Sequence, residues 1–266
     1  MSNGLNISLK SYDSIFQSEE QRNTEEIKPV PISELKPFTE QPFKVKLDED
    51  MDALVESIKQ CGVLTPVIAR PHKDGGYEIL SGHRRVKACE LAGITDIPVV
   101  VKNLDDDTAT ILLVDSNLQR EHILPSEKAF AYQMKLEAMK RKAGRPSKEN
   151  PRQIVGNLES ADILGQDTGE SGRQIQRYIR LTNLIDPILD MVDNNQIAMN
   201  AAVEISYLSS KEQAAVMQSI EKEETSPSIA QARKMRKFHQ EGNLSNAVID
   251  SIMMEQKPET VKITLG

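Results

Sequence analysis

From Val30 through Ile32 to Leu35 apolar residues are separated by polar or proline positions, and Pro37 closes the run, which is the mark of short extended segments. Leu47, Met51, Leu54, Val55 and Ile58 then recur at helical spacing, with Gly62 placed as the stop. Val63 to Arg70 is rich in β-branched residues, Asp74-Gly75-Gly76 carries turn chemistry, and Tyr77 to Leu80 returns as a second strand. Ser81-Gly82 opens a helix that runs to Leu91 before Gly93, and Ile97 to Val101 reads as a third strand. A small mixed α/β unit is predicted.

The pattern then changes. Asp105-Asp106-Asp107 caps a helix over Thr108 to Val114, Asp115 to Glu121 reads as a polar link without an apolar stripe, and Pro125 starts a long helix reaching about Lys142. Ala143 to Pro151 breaks the pattern, and beyond it helical stripes alternate with caps at Asp186-Pro187, Asn200, Ser209 with Glu212, and Ser226-Pro227. The expected class is α+β. It comprises a flexible arm over 1–28, a mixed α/β domain over 29–124, a long helix and basic linker over 125–150, an all-α domain over 151–240, and a short helix and tail over 241–266.

Aromatics are 4% and Trp is absent, so Leu, Ile, Val, Ala and Met must fill the cores, as a helix-rich chain would. Cys61 and Cys89 are too few for a disulfide framework and lack metal-ligand spacing, which fits a reducing cytoplasm. His72, His83, His122 and His239 also fall outside ligand spacing, so no metal site is expected. Met1 to Phe16 has no secretory apolar run and no membrane-length stretch follows, so a membrane association is not expected. The net charge of −7 argues against nucleic acid until its distribution is read: over 140–180 nine Lys and Arg stand against five Asp and Glu, whereas over 1–60 there are seven against twelve. Positive charge gathers mid-chain.

Ser81-Gly82-His83-Arg84-Arg85 follows a strand and opens a helix, so backbone N–H groups, the positive helix end and two guanidiniums can converge on a phosphate. Asp115-Ser116-Asn117-Leu118-Gln119-Arg120-Glu121 offers amides and a third arginine. Tyr77 to Ala88, Ile97-Pro98-Val99-Val100-Val101 and Ser116 to Glu121, in that order and spacing and with Gly62-Val63-Leu64-Thr65-Pro66-Val67 ahead of them, resemble the N-terminal domain of the ParB/RepB/Spo0J partition family. The resemblance covers about two-thirds of the chain, from near Ile32 through the helices after 151. It implies CTP with magnesium and a pocket at Thr65, Gly82, Arg84, Arg85, Asn117, Gln119 and Arg120. The family usually has Glu where this chain has His83 and Ser116, and magnesium relies on carboxylates, so CTP binding with weak or absent hydrolysis is expected and a CTPase activity is left open. The same domain is similar to sulfiredoxin, whose reactive cysteine would fall at Gly82; Cys89 reads instead as a small core residue.

Ser160 to Gln166, the turn Asp167-Thr168-Gly169-Glu170, and Ser171 to Leu181 have helix-turn-helix proportions, with Ile163, Leu164, Ile175, Ile179 and Leu181 as the apolar side. Ser171 is the natural N-cap, and Arg173, Gln174, Arg177 and Arg180 fall off the stripe. Arg pairs with guanine and Gln with adenine through two hydrogen bonds, so Arg173, Gln174 and Arg177 are the candidate base readers. Lys140, Arg141, Lys142, Arg145 and Lys148 are candidate phosphate contacts, and Gly144-Arg145-Pro146 reads as a solvated basic linker rather than a minor-groove hook. The resemblance adds the partners: a palindromic site in double-stranded DNA, a ParA-type ATPase and a second copy of the chain. Any dimer is expected to form through the first two domains, since only Val261 to Leu265 reads as a further element near the end. A KorB-like transcription regulator and a nucleotide-hydrolysing enzyme are the alternatives.

Overall fold

The computed structural model describes residues 27–39, 41–120, 122–142 and 157–255. Residues 1–26 of the arm, Arg145 and Lys148 of the basic linker, the Gly144-Arg145-Pro146 run, Glu121 and the Val261 to Leu265 segment lie outside the described residues, while Ile27 and Lys28, expected in the arm, begin the first strand. The chain forms two compact units, one made of residues up to Phe38 together with Val45–Leu104, the other of Thr39–Lys44 together with everything from Asp105. The packing division thus falls at Leu104, ahead of the helix that the sequence pattern groups with the first domain.

The first unit is a five-stranded sheet with two helices. Strands β1 (Ile27–Pro31), β2 (Leu35–Lys36), β3 (Val67–Pro71), β4 (Tyr77–Ser81) and β5 (Asp96–Val101) lie in the order β1-β5-β3-β4-β2. β3 pairs antiparallel with β4 and parallel with β5, β1 runs antiparallel to β5, and β2 parallel to β4. The edges are short or proline-bearing, β2 having two residues and β1 holding Pro29 and Pro31, which discourages pairing with another sheet. Val67 and Ala69 of β3 and Ile97 and Val99 of β5 alternate inward onto α1 (Glu49–Cys61) and α2 (His83–Ala92). Met51, Val55 and Ile58 of α1 and Val86, Ala88 and Cys89 of α2 complete that core. Cys89 is fully buried and burial pushes its thiol pKa up, although the Arg85 charge pulls the other way, so its packing role is borne out.

The second unit is helical: α3 (Asp106–Leu118), α4 (Pro125–Lys142), α5 (Asn157–Thr168), α6 (Gly172–Arg180), α7 (Asp186–Asp193), α8 (Met199–Ile205), α9 (Ser210–Glu223), α10 (Ile229–Gln240) and α11 (Asn246–Met254). Its main core gathers Leu181, Ile188, Ile197, Ile205, Val216, Met235 and Ile252, and a smaller one holds Tyr132, Ala161, Leu164 and Ile175. A third joins Phe43 to Val114 of α3 and Ala131 of α4, so the strap Thr39–Lys44 is part of this unit. The carboxylate of Glu127, buried in the first turn of α4, accepts the N–H of Lys44 at 2.9 Å and of Leu124 at 3.1 Å. Beside it, Ser126 donates its N–H and hydroxyl to Asp193 of α7, at 2.9 and 2.5 Å.

Several boundaries differ from the sequence pattern. β3 begins at Val67 rather than Val63, and α3 continues through Leu118, so Asp115 to Leu118 form a helical turn and not a link. Leu118 packs into two apolar clusters, and the Ser116 hydroxyl and Asn117 amide both donate back to the Leu113 carbonyl, at 3.0 and 2.8 Å, which lets poor helix formers close the turn. Ser209 and Glu212 do form a capping box, but the next helix is capped by Ser228 with Gln231 and not by Ser226, and α8 begins behind Ala198 rather than at a cap from Asn200.

Candidate functional site

In the first unit the sequence-predicted residues gather around one turn. Gly82 links β4 to α2 at φ 105°, and a Cβ there would lie 3.0 Å from Val67 Cγ2 and 3.1 Å from an Arg85 guanidinium nitrogen. Only glycine fits this left-handed, crowded position. No side chain caps the N-terminus of α2, so its first N–H groups are left to other partners. Arg85 donates to the carbonyls of Thr65 and Pro66, the latter at 2.7 Å, and burial draws its pKa down. Arg84 donates to Asp48 Oδ1 at 3.2 Å; that hydrogen bond, helped by the Met51 N–H, holds the Asp48 carboxyl below its ordinary range. Asp48 is the N-cap of α1 and was not among the expected site residues, although an Asp before an acidic first turn is visible in the sequence.

Both guanidiniums therefore rest on protein oxygens. Thr65 takes part through its carbonyl, so its contact is a backbone one. His83 points inward, with its Nε2 3.5 Å from the Phe38 N–H and only 5% of its surface exposed. A divalent cation finds little here: Asp48 is engaged by Arg84, and position 83 offers an imidazole among arginines. The donor set suits a phosphate and not magnesium.

Asn117, Gln119 and Arg120 stand together in the second unit, at the C-terminal end of α3. Asn117 is buried with its amide turned onto Leu113, Gln119 is exposed, and the Arg120 guanidinium lies 5.5 Å from the centre of the Phe43 ring.

The helix-turn-helix is built from α5, the turn through Gly169 at φ 71°, and α6. Ser171 caps α6 by accepting the Gln174 N–H at 3.2 Å. Leu164 and Ile175 are fully buried between the helices, whereas Ile163, expected on the apolar side, is 46% exposed. The two helices approach closely through glycine: a Cβ on Gly165 would lie 2.2 Å from the Glu170 carbonyl oxygen, and one on Gly172 2.0 Å from Asp162 Oδ1. Arg173 is exposed and Arg177 half-buried, and neither pairs with a carboxylate of another described residue. Gln174 reaches Met199 Sδ at 3.6 Å. Arg180 is engaged within the protein: it donates to the Ser206 carbonyl at 2.8 Å and lies 4.0 Å above the Tyr207 ring, which Arg236 approaches at 3.5 Å. Arg141 and Lys142 are likewise tied, to Asp107 at 2.6 Å and Thr108 Oγ1 at 2.8 Å.

Two family profiles match the chain in this order: the ParB N-terminal domain over residues 16–118 and the ParB HTH domain over residues 158–247. A nucleoid occlusion protein from Geobacillus sp. (strain WCH70) is 30% identical over 194 residues, covering 73% of this chain and 62% of that protein. A probable chromosome-partitioning protein ParB from Neisseria meningitidis (strain DSM 15465 / Z2491) is 33% identical over 155 residues, covering 58% of this chain and 48% of its own length. The chain thus spans about half to three-fifths of these relatives. Among solved structures, the pNOB8-like ParB N-domain superposes with a TM-score of 0.51 at 17% identity, covering 86% of this chain and 95% of that one, a likeness of fold. With an N-terminal match that includes the Gly82 turn and a second match that takes in the helix-turn-helix, the chain belongs to the ParB family.

Proposed function

We propose that this chain is a sequence-specific DNA-binding partition protein that reads a palindromic site in double-stranded DNA as a homodimer. In this reading it takes CTP in its N-terminal domain, with weak or absent hydrolysis, and works with a ParA-type ATPase. The observation that carries the DNA half is α6: a Ser-capped helix whose buried side is Ile175 and which leaves Arg173 in its first turn and Arg177 in its last without carboxylate partners among the described residues. Arginines held this way can each make two hydrogen bonds to guanine O6 and N7. Ser171 and Gln174 support the helix start, Arg180 acts by bracing α6, and Arg145 and Lys148 are assigned phosphate contacts from the sequence alone.

The nucleotide half rests on the Gly82 turn. When CTP binds, the uncapped amides of α2 hold phosphate oxygens, and Arg84 and Arg85 exchange their protein oxygens for it. Asn117, Gln119 and Arg120 are assigned as nucleotide contacts by family position alone. A second reading, a DNA-bound regulator without a segregation role, is favoured by the nucleoid occlusion relative and uses the same α6.

The test is to enrich a duplex from a random-sequence pool with the purified chain, then measure its affinity, and CTP binding and turnover, for wild type, Arg173→Ala, Arg177→Ala and Arg85→Ala. Each α6 variant is expected to lose about fivefold to 150-fold for that duplex, from about 1–3 kcal/mol per bidentate contact. Arg85→Ala is expected to lose CTP binding and keep DNA affinity in the absence of nucleotide. A wild-type chain that enriches no sequence refutes the DNA reading, and one that binds no CTP reduces the first domain to a docking module.

A further inference from the structure

We infer that Lys128 is a positioning residue for DNA reading: its ammonium, set in the first turn of α4, fixes how α6 is presented by holding the turn before it and its far half at once. The inference rests on α6 being the reading helix. Lys128 Nζ donates to Glu170 Oε1 at 2.8 Å, immediately ahead of the Ser171 cap, and lies 5.2 Å from the centre of the Tyr178 ring, near the other end of α6. One cation therefore holds both the turn that leads into α6 and a residue near the far end of α6, which opposes rotation about the helix axis as well as sliding along it. Neither partner is freely solvated, the side chains of Lys128 and Glu170 being 26% and 19% exposed, so the attraction is less screened than at an open surface.

The surroundings give the pair a rigid base. Tyr132, one turn further along α4 and 1% exposed, meets Tyr178 with ring centres 5.8 Å apart at 56°. The Glu170 carbonyl is pressed against Gly165 of α5, which leaves the acid's backbone little room to follow a displaced side chain. Burial alone would lower the Lys128 pKa; the Glu170 hydrogen bond and charge outweigh it and the net shift is upward, so the ammonium is the stable form here. Burial, and after it the Glu170 charge, likewise raises the Tyr132 hydroxyl, which remains neutral. The first turn of α4 already anchors the strap through Glu127 and α7 through Ser126, so Lys128 ties α6 to a turn that is itself held at two other points.

The measurement uses the full chain and two duplexes, the one enriched by wild type and a scrambled duplex of the same composition. Lys128→Met is expected to lower the ratio of the two affinities about tenfold, a coupling in the range of contacting pairs. Affinity for the scrambled duplex should hold within about twofold, since phosphate contacts do not depend on helix rotation. Amides of 172–180 should exchange faster in the free variant while those of α9 do not change. Lys128→Arg should keep the ratio, and the double exchange Lys128→Glu with Glu170→Lys should regain most of it. An unchanged ratio in Lys128→Met, an equal fall on both duplexes, or a double exchange no better than the single variant overturns the inference while leaving the DNA reading intact. If Lys128→Met fails to fold, the double exchange decides alone: a folded protein with a restored ratio supports the inference and a low ratio refutes it. Failure of the wild type to enrich any duplex removes the DNA reading first, and this inference with it.

Discussion

Gly82 sits where two demands meet on one residue: a φ of 105° and a Cβ position already filled by Val67 and the Arg85 guanidinium. Gly82→Ala is therefore expected to destabilise the first unit by about 1–3 kcal/mol, combining the strained dihedral with displacement of Arg85 from the Thr65 and Pro66 carbonyls. Urea unfolding followed through β-sheet signals checks the size, and the Arg85 guanidinium resonance in the folded variant reports whether the clasp has opened. Much at this scale was legible: the glycine between strand and helix, the Ser171 cap and the Cys89 packing position follow from local residue type. The engagements of the arginines were not. Arg85 reaches back to Thr65 and Pro66, Arg84 to Asp48 and Arg180 forward to Ser206, and contacts this distant along the chain leave no mark in a local pattern.

At the scale of elements, α5 and α6 owe their closeness to Gly165 and Gly172, the first against the Glu170 carbonyl and the second against Asp162. Backbone cannot give way as a flexible side chain can, so Gly165→Ala is expected to cost about 1–3 kcal/mol by overpacking and to tilt α6 away from its seat. Thermal melting of the variant checks the cost, and loss of protection at the Ile175 amide, which donates to Ser171 O in the folded chain, checks the tilt. The helical stripes and the Ser209–Glu212 box located most helices correctly, because 3.6-residue periodicity and capping are local signals. Elements were misjudged where side chains overrode propensity. Ser116 and Asn117 bond back to Leu113 and extend α3 to Leu118, and a bend at Leu64-Thr65, with the Thr65 and Pro66 carbonyls committed to Arg85, delays β3 until Val67.

At the scale of the molecule, the division into two units does not follow the chain order. The strap Thr39–Lys44 lies early in the sequence yet contributes Phe43, 2% exposed, to the core with Val114 and Ala131. Phe43→Ala is expected to cost about 3–5 kcal/mol, as for other buried phenylalanines, and to do so in the helical unit. Hydrogen exchange should show faster amides in α3 and α4 and unchanged protection in β3 and β5; the reverse pattern would place the strap with the sheet. A mixed α/β part followed by a helical part with a helix-turn-helix was readable from residue periodicity, whereas the break at 143–151 does not mark the packing division, which falls at Leu104. The strap was not, since a lone Phe between Pro42 and Lys44 has no period to betray where it packs.

That arrangement bears on how the protein is made. As the chain leaves the ribosome, the residues of the sheet unit emerge complete before α4 exists, so the first unit can fold while Phe43 still has no socket. The nascent chain carries an apolar hook until Ala131 and the Glu127 carboxylate arrive to receive it. Synthesis of the later helices is therefore also the step that buries an apolar side chain exposed since the strap emerged. A recombination event that exchanged everything after Leu104 would inherit the hook without its matching seat, so the two units are expected to travel through evolution as a pair.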